Sequence, residues 1–139
     1  MSEEDIKNMQ NLLEFTDEEM KIFKQNPKNI EILKMSPDLV NKTIIVEVIK
    51  SHGCASQHKV GDKFYFTGDG NVLTKLCPSR MCMSALSSAG SLVGNAVAFM
   101  WAGRDANEMP FTVAGCSDVG LQCGGWGHIV MQIRVEDRK

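Results

Sequence analysis

The chain has no excess of charge of either sign: fifteen Lys and Arg against seventeen Asp and Glu leave a formal charge of -2 over 139 residues. Without a basic stripe it lacks the electrostatic footprint of a nucleic-acid binder, and no nucleic-acid partner is expected. The opening Met-Ser-Glu-Glu-Asp is acidic and polar, the wrong start for a secretory signal. Apolar runs are also short of the about 20 residues a bilayer requires. Met83 to Ala102 comes nearest, and serines, Asn95 and two glycines interrupt it. These absences point to a cytoplasmic protein with no membrane partner. No internal repeat, low-complexity segment or Cys-x-x-Cys motif occurs, and the missing motif weakens both a zinc-ribbon and a thioredoxin-like reading.

The remaining composition is that of an ordinary globular domain, 43% hydrophobic and 23% charged. A chain of this length buries about two thirds of its unfolded surface, so it needs neither disulfide nor metal merely to fold. The five cysteines are therefore expected as thiols, thiolates or ligands.

Residues 1–42 read as a helical arm. Thr16 and Glu19 form a capping box, with Phe15 placed to staple onto Met20 or the Lys21 stem. Asn26-Pro27 and Ser36-Pro37 are two more start signals, a capping residue followed by proline at the first helical position. The arm, without cysteine or histidine, is expected to serve packing or oligomerisation. Residues 43–139 form the cysteine-containing domain. Thr43–Lys50 alternates as a strand, as does Lys59–Phe66, and the Gly68–Asn71 turn returns Val72–Leu76 as a hairpin partner. Cys77-Pro78 is read as the start of the longest helix, buried on most sides, with close backbone approach at Gly90 and Gly94 and a stop at Gly103. Phe111–Ala114 and His128–Val135 complete about five strands. The expected fold is α+β: a mostly antiparallel sheet packed on one central helix, with the N-terminal arm attached.

Chemistry is concentrated between Cys116 and His128, which holds two cysteines, four glycines, Trp126 and a histidine. Cys54 follows the first strand with His52 and His58 on either side. If these loops meet at one end of the sheet, Cys54, Cys77, Cys116 and Cys123, assisted by His58 or His128, could hold zinc or an iron–sulfur cluster. Alternatively Cys77, at a helix N-cap where free N–H groups favour thiolate, is the nucleophile of a metal-free thiol enzyme or redox sensor, with His58 and Asp62 as catalytic partners. Cys82, on an apolar helix, reads as a small buried hydrophobe. Gly124 and Gly125 either bring backbone close to a ligand with Trp126 as its apolar wall, or form a turn with Trp126 plugged into the core. Asp62 and Asp118 are the carboxylates placed to support an imidazole or thiolate, or to cap turns. A third reading is a non-catalytic homo-oligomeric or partner subunit that docks on a larger enzyme through the arm.

The segments Gly53-Cys54, His58-Lys59-Val60-Gly61-Asp62-Lys63-Phe64, Leu76-Cys77-Pro78, Cys116 and Cys123-Gly124-Gly125-Trp126-Gly127 resemble a family of small, mostly uncharacterised bacterial and archaeal proteins. The likeness covers roughly two thirds of the chain, and the helical arm resembles an extension found in some members. It implies Cys54, Cys77 and Cys116 as the family cysteines, with many members from anaerobes. It supplies no activity, and raises the expectation of a metal or iron–sulfur role.

Overall fold

In the computed structural model, which describes residues 2–138, the chain divides into two units, Met1–Asp38 and Leu39–Lys139. The first is helical. Helix α1 (Glu3–Leu13) starts at a Ser2–Asp5 capping box, and α2 (Asp17–Lys24) at the expected Thr16–Glu19 box. The Phe15 ring meets Phe23, with centroids 5.9 Å apart. Helix α3 (Pro27–Val40) opens at Pro27, where the Asn26 side chain accepts the Lys28 N–H. Ser36-Pro37 does not start a new helix: Pro37 lies inside α3. Proline removes the N–H that would bond the carbonyl four residues back. The Ser36 hydroxyl donates to that carbonyl, Leu33 O, at 2.8 Å, so the helix continues through the proline.

The second unit is α+β. Its four strands are β1 (Lys42–His52), β2 (Lys63–Thr67), β3 (Val113–Gly115) and β4 (His128–Asp137), in the antiparallel order β2-β1-β4-β3. Ile44, Val46 and Val48 of β1, Phe64 and Phe66 of β2, and Ile129, Met131 and Ile133 of β4 alternate onto one face and are buried. Helix α4 (Met83–Trp101) buries Ala85, Ala89, Leu92, Val93, Ala96 and Met100. At ~25 cal/mol per Å², burying this aliphatic face is the main term holding the unit together.

Several details differ from expectation. Val72–Leu76 is not a strand: Phe66 bridges Val72, but the segment then closes onto the outer edge of β2 through bonds from Leu73 N–H to Tyr65 O and from Tyr65 N–H to the Cys77 sulfur. The sheet therefore has four strands. The stretch Lys59–Asp62 is a turn, with Asp62 N–H donating to Lys59 O and its carboxylate accepting Lys59 N–H. Helix α4 begins at Met83, five residues later than the Cys77 cap implied. It buries one face, and Gly90 and Gly94 are exposed, with nothing within 4 Å of where a Cβ would stand, so no close backbone approach occurs there. By length and mean hydropathy α4 is, among the described residues, the one helix apolar enough to cross a membrane. Its buried face is nevertheless part of the core.

Candidate functional site

Two features of β1 bring the loops together. Its register shifts between Val48 and Lys50, a bulge that turns Ile49 outward and keeps Ser51 paired with Ile129 on the core side. Beyond the bulge His52 pairs with His128, so the residues following β1 and those preceding β4 leave the sheet side by side. There Gly53 and Gly127 cross back to back. A Cβ on buried Gly127 would overlap the Gly53 carbonyl, and one on Gly53, whose φ is +67°, would sit 3.0 Å from Trp126 O. Only glycine permits this approach, and it sets Cys54 against the β3–β4 loop.

The loop is organised by Asp118. Its carboxylate accepts the N–H groups of Gly120 at 2.9 Å and of Trp126 and Gly127 at 3.0 Å. The Gly127 N–H, then that of Gly120, hold its carboxyl below the usual aspartate range; partial burial opposes them, and Trp126 N–H and the His128 ring add to the lowering. Gly125 leaves no room for a side chain beside this carboxylate. The Asp118 carbonyl accepts the Nδ1–H of His128, whose ring lies across Gly115. Cys116 Sγ accepts the Ile129 N–H at 3.3 Å and lies 3.6 Å from His128 Nδ1.

The start of α4 closes the other side. Cys82 is its N-cap, with extended backbone, and donates its N–H to His58 Nε2 at 3.1 Å. That bond places the His58 proton on Nδ1, which lies 3.8 Å from Asp62 Oδ2. His58 is 2% exposed and meets Phe64 edge-on, so it is a buried strut between the Cys54 loop and the helix. Ser51 Oγ fixes its backbone by donating to His58 O at 2.6 Å. The Cys82 sulfur makes no cap bond of ordinary geometry, yet the helix N-terminus still favours its thiolate. The Ala85 N–H first, then the Ser56 hydroxyl and the Ser84 N–H, pull the thiol below its ordinary value, against burial that pushes it up. Two residues on, Ser84 bonds the Ser117 hydroxyl, and its Oγ accepts Ser117 N–H at 2.9 Å, tying the helix start to the residue after Cys116.

The result is a pocket of about 90 Å³ lined by Cys54, Ser56, His58, Cys82, Cys116 and His128 among others. Of the expected ligands, Cys54, Cys116, His58 and His128 share it. Cys77 and Cys123 do not: Cys77 is bonded to Tyr65 on the edge of β2, and Cys123 is exposed on a 3₁₀ turn, Leu121–Cys123. Among the described residues no three Cys, His, Asp or Glu side chains form a group that could hold a metal ion, so the expected six-residue ligand set is not assembled. Asp62 and His58 are neighbours as expected, without Cys77 as their third member. Trp126 is 74% exposed, neither plugged into the core nor a pocket wall, and Gly124 and Gly125 serve the turn. His52 is exposed at the strand end.

Cys82, expected as a small buried hydrophobe within the helix, is instead half-exposed at its N-cap and lines the pocket, and Ser56 and Ser84 are lining residues that the sequence does not single out. The signal is the burial period Ala85, Ala89, Leu92/Val93, Ala96, Met100, whose first turn starts just after Cys82. All five cysteines are free. Comparisons with protein-family models, curated proteins and solved structures found no match to this chain.

Proposed function

We propose that this chain is a thiol-dependent protein whose reactive group is Cys82, with Cys116 and Cys54 as neighbouring thiols. The observation that carries the reading is that three cysteines from three separate loops line one small pocket, and one of them caps a long helix. A thiolate, not a thiol, is the sulfur nucleophile, and a helix N-terminus stabilises it by unpaired N–H groups and by the dipole. The pocket suits a reactant of a few heavy atoms. Free cysteines fit a reducing, cytoplasmic compartment.

Time-resolved alkylation of the reduced protein with iodoacetamide, mapped by peptide mass, tests this. Cys82 should label about ten-fold faster than Cys77 at pH 7, with a rate midpoint below that of an ordinary thiol. It should also outpace Cys123, although Cys123 is more exposed. Uniform slow labelling of all five would end the proposal. Stoichiometric zinc or iron in anaerobically purified protein would replace it with a metal-centre reading.

A further inference from the structure

The pocket places a second and a third thiol beside the first, an arrangement a simple nucleophilic site does not need. Cys82 and Cys116 are joined by more than shared lining: Ser84, two residues past Cys82, bonds both the hydroxyl and the N–H of Ser117, the residue after Cys116. That clamp fixes the helix start against the β3–β4 loop, and both cysteines line one cavity of about 90 Å³. Cys77 and Cys123 lie outside it. We infer that the site reacts with small hydroperoxides and stores the outcome as a Cys82–Cys116 disulfide.

This rests on the reading of Cys82 as the reactive group and names its reactant. The Cys82 thiol ionises, and its sulfur attacks one peroxide oxygen; an S–O bond forms, the O–O bond breaks, and the hydroxide that leaves takes up the proton the thiol released, giving the first water. The Cys116 sulfur then loses its proton and attacks Cys82. An S–S bond forms, the S–O bond breaks, and water leaves. In total two thiols lose two hydrogens and hydrogen peroxide is reduced to two waters. The cavity favours such a reactant because it is small and mostly apolar in lining, which suits a neutral molecule of a few atoms. The leaving oxygen gains negative charge beside the N–H groups that begin α4 and the Ser56 hydroxyl.

The test uses the full reduced chain, dosed with hydrogen peroxide, quenched by alkylation and mapped by peptide mass. A Cys82–Cys116 bridge should appear while Cys77 and Cys123 remain alkylatable, with Cys82 lost about ten-fold faster than either. Cys116→Ser should leave a Cys82 sulfenic acid that dimedone traps, and Cys82→Ser should leave Cys116 reduced at the same dose. The wild-type map stands alone if either variant misfolds. A Cys82–Cys54 bridge, or oxidation spread evenly over the five cysteines, overturns the inference. So does a Cys82 that resists peroxide while still alkylating fast at neutral pH, a result that leaves the reading of its reactivity intact. Slow, uniform alkylation would remove both.

Discussion

Cys77 and Cys82 are five residues apart and face opposite tasks. Cys77 lies against the outer edge of β2, where its sulfur accepts the Tyr65 N–H at 3.2 Å and lies 3.6 Å from the Tyr65 carbonyl it donates to. It covers an edge strand that would otherwise expose a row of unpaired groups. Cys82 has its own N–H bound by His58 and lines a cavity at the start of a 19-residue helix. In the first case the thiol satisfies the backbone, and in the second backbone N–H groups favour the thiolate. The type of residue is the same, so position relative to free N–H groups decides which role it takes.

Damage at the loop crossing should therefore affect one cysteine and spare the other. Gly127→Ala should have the largest effect, because its Cβ would overlap the Gly53 carbonyl and both strands are fixed by the sheet. Overpacking of backbone against backbone should destabilise by about 2–4 kcal/mol, read as a fall in Tm. Where the variant still folds, the fast alkylation of Cys82 should slow while Cys77 is unchanged. Retained Cys82 reactivity would mean that the helix start alone sets it, without the pocket. Asp118→Asn should come next. Its carboxyl is held below the ordinary aspartate value of 3.8, so the ionised form stabilises the fold at all pH above that value. That contribution is lost as pH falls through the lower folded-state value. The Tm difference between wild type and Asp118→Asn should therefore be full at pH 6–7, about constant down to pH ~4, and should vanish in stronger acid. A difference that does not shrink in acid would show that the three N–H bonds do not depend on the charge.

Most of the fold is legible in the sequence, because its signals are local. Alternation in Thr43–Lys50 and His128–Val135 yields β1 and β4, and the Thr16–Glu19 and Asn26-Pro27 signals place α2 and α3. Misreadings arise where a residue's bond contradicts its local signal. Ser36-Pro37 looks like a start until the Ser36 hydroxyl is seen bonding Leu33 O. Cys77-Pro78 looks like a helix cap until Tyr65, twelve residues back, is seen holding the thiol. A cysteine at a helix N-cap does favour thiolate, but the cysteine in that position is Cys82. The convergence of Cys54, Cys116, His58 and His128 is legible from their places at element ends, and the β1–β4 pairing at His52–His128 is what realises it. The trap in the glycine run is chemical: Gly125 makes room for the Asp118 carboxylate rather than for a ligand.

The smallest effect should come from Cys77→Ser. Serine keeps a donor and an acceptor on the same carbon, so the Tyr65 N–H and carbonyl retain a partner, and the shorter C–O bond leaves only a slight gap at a half-exposed site. The cost should be below about 1 kcal/mol, since the site exchanges one neutral hydrogen bond for another near water. Cys82 should alkylate at its wild-type rate, and hydrogen peroxide should still join it to Cys116. If Cys77→Ser instead slows either reaction, Cys77 reaches the pocket in solution. The separation of an edge-covering thiol from a reactive one would then fail, and a four-cysteine site would have to take its place.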